Sequence, residues 1–451
     1  MSSIYEPRIG EPWRDERLPL LGGDAMSRTL VWRNEKPVTA ATFLGEAQAL
    51  AERLPDAPAA VNLCEDRYAF LLLFCALLLR GQTNLLPSSR APAAVAEVMA
   101  AHPGSCALGE TDPAAPIAGF VRIDLPSGAT PLNHVPRIPA DLVALVGYTS
   151  GSTGKPHPNL KSWRSLHCSN AGNLDLLHSL AGDLFHVIAT VPSQHMYGIE
   201  MATLLPLLGN VAISTARPFF PADIATALAT VPTPRVLVTT PLHLRKLLDA
   251  DIDLPPVAMI VSATAPMPPD LAAAAEIRFS TRVEEVFGST ETCVIAHRRT
   301  AHDETWAPYR GVHLHPQPDG VQVIAPQLNA PVTLADIVRL EDGGQRFRLC
   351  GRNADLLEIA GKRASLADLT HRLLSIDGVQ DGVVLQLDEP ASGVRRIAAL
   401  VVAPTRDEAG ILADLRRVID PAFLPRPIKR VAALPRNETG KLPRAELLKF
   451  F

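Results

Sequence analysis

From residue 40 to residue 80 apolar side chains recur at helical spacing, which predicts helices over residues 40–53 and 67–80. Gly81 breaks the second, and a short apolar strand is expected at residues 84–86. From about Asp141 the pattern alternates. Apolar runs at residues 142–148, 186–191, 211–214, 236–239 and 259–262 read as strands, separated by Leu- and Ala-rich helical stretches such as 221–230 and 241–249. Such alternation predicts a mostly parallel sheet covered by helices on both faces. After about Glu291 the pattern shifts to short strands and Pro/Gly turns, around residues 321–324 and 347–349. Beyond Gly351 come a helix at 365–375, strands near 382–387 and 397–402, a helix at 408–419 and a polar tail. The expected class is therefore α/β. Residues 1–350 would form a large N-terminal domain of mostly parallel, helix-covered sheets, and 351–451 a small C-terminal α+β domain.

Length agrees with this division, since 451 residues exceed what one compact core holds. Hydrophobic residues at 47% and charged residues at 20% supply a sizeable interior and a polar surface. A net charge of −4 without a basic segment argues against nucleic-acid binding. The six cysteines are scattered without paired spacing, so neither a disulfide framework nor a zinc site is expected. The first residues carry acids, bases and prolines rather than an apolar signal core. The greasiest run, residues 69–79, is shorter than the roughly 20 apolar residues a bilayer span needs. A cytoplasmic protein without a membrane span is the expectation.

Candidate chemistry begins after the strand at 142–148, with Tyr148-Thr149-Ser150-Gly151-Ser152-Thr153-Gly154-Lys155-Pro156. Glycines let the backbone turn tightly and expose its N–H groups, and the hydroxyls add donors, so the stretch suits phosphate oxygens. It is not the nucleoside-triphosphatase P-loop: Thr149 stands where the first glycine belongs, and Pro156 replaces the Ser or Thr.

The string YTSGSTGKP resembles the phosphate loop of the ANL superfamily, which comprises acyl-CoA synthetases, nonribosomal adenylation domains and luciferase. Further motifs follow in that family's order. The segment Val191 to Gly198 is similar to the family's P-x-x-H-x-x-G, which lines the acyl pocket and implicates His195, Tyr197 and Gly198. Ser262-Ala263-Thr264-Ala265-Pro266 occupies the place of a small-residue turn, often SGGAP, beside adenine and acyl group. Phe287-Gly288-Ser289-Thr290-Glu291 resembles Y-G-x-T-E: the aromatic stacks on adenine, Thr290 donates to the α-phosphate, and Glu291 holds Mg²⁺. Asp336 stands for the ribose-binding Asp of T-G-D. Gly351-Arg352 through Gly361-Lys362-Arg363 resembles the hinge and first loop of a mobile small domain, with Asn353, Ala354 or Asp355 at the hinge. Pro435-Arg436-Asn437-Glu438-Thr439-Gly440-Lys441 resembles the terminal P-R-N-x-x-G-K, whose lysine bridges α-phosphate and acyl carboxylate.

The resemblance implies an ATP- and Mg²⁺-dependent enzyme that makes an acyl-adenylate and passes the acyl group to a phosphopantetheine thiol. Thr290, Glu291, Lys441 and His195 would be catalytic. The cradle would comprise Thr149, Ser150, Gly151, Ser152, Thr153, Gly154, Ala263, Thr264, Phe287, Gly288, Ser289, Asp336 and Arg352. The acid would lie among His195, Tyr197, Gly198, Ser262, Ala263 and Gly288. After Pro156 the family has Lys-Gly, whereas here His157-Pro158-Asn159-Leu160-Lys161-Ser162-Trp163 follows, so the phosphate-directed lysine is either absent or supplied by Lys161. The short chain, this continuation and FGSTET are similar to stand-alone ligases of bacterial aryl polyene and xanthomonadin pathways, which load an aryl acid, typically 4-hydroxybenzoate, onto an acyl carrier protein. Coenzyme A is the alternative thiol. Arg416, Arg417, Arg426, Lys429 and Arg430 are candidate contacts for either acceptor. A non-catalytic relative would be expected to lack Lys441 or Glu291, and both are present. An amino-acid substrate would call for an acidic residue after position 190, where only Glu200 is found.

Overall fold

Side chains fix the starts of two early helices. Thr39 caps Ala40–Ala51 by accepting from the Thr42 amide, and Asp66 caps Arg67–Leu79 by accepting from the Ala69 amide. The second helix is buried on every side, as its unbroken apolar run requires. The computed structural model describes residues 16–23, 25–150, 156–318, 320–352, 356–359, 362–387, 396–437 and 440–451. The chain divides into two compact units. One runs to Glu304 and includes Pro308–Val312 and Ile324–Pro331; the other comprises Thr305–Ala307, His313–Val323 and Val332–Phe451. No helix among the described residues is long and apolar enough to cross a membrane.

The first unit is built on two sheets. One has the strand order Pro156–Ser162, Val143–Ser150, Thr83–Leu86, Ala59–Asn62, Cys106–Gly109, Phe120–Arg122. All its neighbours are parallel except the first pair, which is antiparallel. The larger sheet runs Cys293–Arg298, Arg282–Ser289, Met259–Ser262, Arg235–Thr239, Phe185–Ala189, Val211–Ser214, Thr29–Arg33, Lys36–Thr39. Its inner strands are parallel, and both of these end pairs are antiparallel. The parallel strands are continuous Val/Ile/Leu runs because both faces are covered. Helices Pro221–Ala229, Pro241–Asp249 and Pro269–Phe279 pack through Ile224, Leu228, Leu244, Leu247, Leu271 and Ala272 onto Ile188, Leu237, Ile260 and Val283.

The longest helix, Trp163–Ala181, is not foreshadowed by the apolar pattern. Ser162 caps it, and Ser165, Ser169, Asn170 and Asn173 share its buried face with Trp163, Leu166, Leu176 and Leu177, so polar residues interrupt the apolar stripe. On the same helix His167 packs edge-on to Trp163, and its Nε2 donates to the Pro19 carbonyl at 3.1 Å. Burial holds the imidazole pKa down to about 4, only partly offset by that carbonyl and by Glu16. The folded state thus favours neutral His167. The stability it confers is fully present above the unfolded value near 6.5 and is lost as pH falls towards 4, on the order of 3 kcal/mol over that span. Urea unfolding at pH 7.5 and pH 5 is expected to show this loss, and His167→Gln should flatten it.

In the second unit Asp381–Gln386 pairs antiparallel with Ile397–Val402, which pairs parallel with Ile428–Arg430. Alternation along the middle strand serves two cores. Ile397, Ala399 and Val401 meet the helices Leu366–Leu374 and Glu408–Val418, while Ala398 and Leu400 meet Leu434 and Leu447.

Candidate active site

The antiparallel hairpin arms Val143–Ser150 and Pro156–Ser162 pair Thr149 with His157, Gly147 with Asn159 and Leu145 with Lys161, so these side chains share one face. That face meets the turn between strands Arg282–Ser289 and Cys293–Arg298. Gly147 fits closely there: a Cβ would stand 3.0 Å from Thr290 Cγ2, which would have to give way slightly. Two residues on, Thr149 Oγ1 donates to Glu291 Oε1 at 3.5 Å, and Lys161 Nζ donates to the Glu291 carbonyl at 2.6 Å. The two sheets therefore converge on Thr290 and Glu291. Sequence alone would also allow Thr-Glu to start a helix; here it lies in a hairpin turn. Ser289 and Thr292 close the turn by exchanging amide-to-hydroxyl hydrogen bonds of 3.1 and 3.2 Å.

Around it stand the carboxyl ends of parallel strands, the usual place for a ligand in an open α/β sheet. Ser262 ends one strand beside Glu285 of the next, two residues before Phe287. The Ser262 hydroxyl is buried with no hydrogen-bond partner among the described residues. Thr264 adopts φ +78°, a region that suits glycine and costs a β-branched residue roughly 1–2 kcal/mol. Thr264→Gly is expected to raise the unfolding free energy by about 0.5–1 kcal/mol once glycine's added unfolded-state entropy is counted, seen as a higher urea midpoint. A lower midpoint would show that the threonine's own contacts outweigh the strain.

His195 leads into a helical turn, Met196–Gly198, that passes into the π-helical segment Ile199–Leu204. The approach to it folds back so tightly that a Cβ on Gly198 would meet the Pro192 carbonyl oxygen at 1.9 Å. Tyr197 is buried and its hydroxyl donates to the Val261 carbonyl at 3.0 Å, which ties this segment to the strand ending at Ser262. Gln194 donates to the Cys64 carbonyl at 2.7 Å. Arg67 was not legible as a site residue. Its guanidinium is buried at the helix start and donates to the Ala189 and Val191 carbonyls at 2.9 and 3.2 Å, and desolvation lowers its pKa to about 10. The signal was an arginine opening an otherwise apolar helix.

Glu200 is fully committed inside the fold. Its carboxylate accepts from Ser169 Oγ at 2.6 Å, from Asn173 Nδ2 at 3.2 Å and from the Val294 amide at 3.1 Å. Burial raises its pKa, opposed by these bonds and by the charge of Lys161. It is thus no ready acceptor for a substrate ammonium. Lys161 is likewise buried, at 4% exposure, with its amine on a backbone carbonyl rather than facing solvent.

Asp336, Arg352 and Lys441 belong to the second unit. Asp336 opens the strand Asp336–Glu341 and pairs in register with Arg352. The loop before Lys441 is clamped by Arg436, which grips Asp381 in a forked contact at 2.7–3.2 Å and donates to the Gly440 carbonyl at 2.8 Å. Asn437 and Lys441 exchange hydrogen bonds of 2.8 and 2.9 Å, and Gly440 takes φ +77°. Gly151, Ser152, Thr153, Gly154, the hinge candidates Asn353, Ala354 and Asp355, and Gly361 lie outside the described residues.

The hydroxyl and carboxylate oxygens of Thr149 and Glu291 are hard donors. Mg²⁺ takes one or two protein carboxylates with phosphates and water, so this set fits it. Among the described residues no group of three or more His, Cys, Asp or Glu side chains could hold a metal without a substrate.

Comparison with known proteins gives the family and the fold. A family model described as "AMP-binding enzyme" matches residues 51–323. Sulfoacetate–CoA ligase of Cupriavidus necator is 28% identical over 364 residues, covering 72% of this chain and 70% of that protein. A 4-coumarate–CoA ligase of Halorhodospira halophila is 31% identical over 310 residues, covering 65% of this chain and 73% of that protein. Among solved structures, o-succinylbenzoate CoA synthetase (MenE) from Bacillus subtilis in complex with the acyl-adenylate intermediate OSB-AMP superposes with a TM-score of 0.79 at 18% identity, covering 93% of this chain and 95% of that one. ATP-bound MatB from Rhodopseudomonas palustris gives a TM-score of 0.75 at 18% identity, covering 95% and 96%.

Proposed function

This chain belongs to the AMP-binding enzyme family, and on that footing we propose that it activates an aryl carboxylic acid as its adenylate and transfers the acyl group to a phosphopantetheine thiol. The observation that carries the first half is the convergence of the Gly147–Thr149 strand on Thr290 and Glu291. In the first half-reaction a carboxylate oxygen attacks the α-phosphorus of ATP, and the bond to the β-phosphate oxygen breaks to release pyrophosphate. A carboxylate is already a nucleophile, so alignment and charge neutralisation supply the rate. Thr290 donates to the α-phosphate and Lys441 stabilises charge on the phosphorane oxygens, while Glu291 would hold Mg²⁺, which would supply charge screening for the triphosphate. Asp336 receives the ribose hydroxyls, and Phe287 stacks on adenine. In the second half-reaction the thiol sulfur attacks the adenylate carbonyl carbon and AMP leaves. The lid would be residues 351–451, moving about Arg352 and the positions that follow it.

Tyr197, His195, Ser262 and Ala263 would border the acid. A flat aryl acid of the 4-hydroxybenzoate class is supported by the Lys161-Ser162-Trp163 continuation and the aryl acid named for the Halorhodospira relative. The Lys161-Ser162-Trp163 continuation favours an acyl carrier protein as acceptor. Free coenzyme A is the second reading, favoured by the relatives' names. The test is pyrophosphate release with 4-hydroxybenzoate, 4-coumarate, sulfoacetate, fatty acids and amino acids, then thioester formation with coenzyme A and with holo carrier protein. Preference for fatty acids would defeat the aryl reading, and faster transfer to coenzyme A would defeat the carrier-protein reading.

A further inference from the structure

We propose that Lys161 and Glu200 are positioning residues, a buried pair of opposite charges that holds the Thr290–Glu291 turn at the Glu291 carbonyl and, just beyond it, at the Val294 amide. The inference rests on the adenylation reading of that turn. Lys161 Nζ takes the Glu291 carbonyl at 2.6 Å from the hairpin side, and both oxygens of Glu200 accept from the Val294 amide at 3.1 Å from the helix side. Lys161 is 4% exposed and Glu200 1%. Either ion alone would be buried at heavy cost, and the charge of Lys161 opposes the rise that burial imposes on the Glu200 pKa.

The turn needs holding from outside. Cys293 adopts φ +61°, a left-handed conformation unfavourable for a side chain; Glu200 holds the peptide group that follows it, and Lys161 holds the one between Glu291 and Thr292. Gln327 adds a third grip, donating to the Thr292 carbonyl at 3.2 Å. Behind Glu200, Ser169 and Asn173 fix the carboxylate, and Tyr309 donates to Asn173 Oδ1 at 3.0 Å. Charged partners make shorter and stronger hydrogen bonds than neutral ones, so two ions on backbone groups set a turn more firmly than water would. A lysine that served phosphate oxygens directly would present its amine to solvent. This one spends it on the carbonyl of the residue proposed to hold Mg²⁺.

Calorimetric titration with ATP, with and without Mg²⁺, and with the acid alone tests the assignment on Lys161→Met, Glu200→Gln and the double variant. Each single change is expected to weaken Mg²⁺-dependent ATP binding about 10–30-fold and to raise the KM for ATP in pyrophosphate exchange, with the acid affinity within threefold of wild type. The double variant should be little worse than either single one, because both act on one turn. Ser169→Ala, which removes one bond from Glu200 but neither charge, should give a graded loss of about threefold and remains informative if Lys161→Met does not fold. A defect in Lys161→Met with wild-type ATP binding in Glu200→Gln would overturn the proposal in favour of a direct phosphate contact. Parallel loss of ATP and acid affinity with a collapsed melting temperature would reduce the pair to general stability. Absence of exchange by the wild type with every acid would defeat the adenylation reading instead, leaving the ATP-binding comparison to decide the brace on its own.

Discussion

Replacing Lys441 with alanine is expected to lower ATP–pyrophosphate exchange by about 10²–10³-fold, the usual result of removing one donor aimed at developing charge. The melting temperature should not move. The side chain is exposed, and the loop that presents it is set by other residues: the Arg436–Asp381 fork, the Asn437–Lys441 exchange and the left-handed Gly440. Adenylation is the half-reaction that needs the lysine. Thioester formation from a chemically prepared acyl-adenylate should therefore retain most of its rate. Full exchange activity in the alanine variant would remove Lys441 from the mechanism, and a lowered melting temperature would make the loss uninterpretable as chemistry.

Gly288→Ala is the second large effect. A Cβ there would lie 2.1 Å from the Cys293 carbonyl oxygen and 2.7 Å from Val294 Cα, backbone atoms that cannot swing aside. The two strands must part where their register already shifts, between Phe287 and Gly288, and the turn bearing Thr290 and Glu291 goes with them. Overpacking of this kind costs on the order of 3 kcal/mol, read as a lowered urea midpoint. Displacing aligned groups by about 1 Å adds roughly a hundredfold loss of exchange in the fraction that stays folded. An alanine variant with normal stability and exchange would mean that the hairpin opens freely, contrary to its packing.

The fold was legible where burial and apolarity coincide. The strands at 211–214 and 259–262, the helix Pro241–Asp249 and the small α+β segment follow from runs of Val, Ile and Leu closed by turns. Trp163–Ala181 escaped because its inward face carries Ser165, Ser169, Asn170 and Asn173, which a hydrophobic pattern reads as surface. The candidate site was legible as short strings of unusual residues, but not as a three-dimensional arrangement. Thr290-Glu291 could as well have begun a solvated helix, and Lys161 was weighed against phosphate because the family's Lys-Gly is missing after Pro156. Its direction follows from the pairing of Lys161 with Leu145, which puts it on the face of Gly147 and Thr149. That is a long-range fact no local window contains. Glu200 and Arg67 were hidden for the same reason: their partners lie far along the chain.

The polar lining of the Trp163–Ala181 helix also constrains how such a protein can drift. Ser169 and Asn173 serve Glu200, Glu200 is paired in charge with Lys161, and both ions act on one turn. Losing any one member strands a buried charge or a buried donor, so single substitutions lead downhill. Descendants should either inherit the whole set or exchange it wholesale for apolar residues, and the positions 161, 169, 173 and 200 should change together across a lineage rather than one at a time.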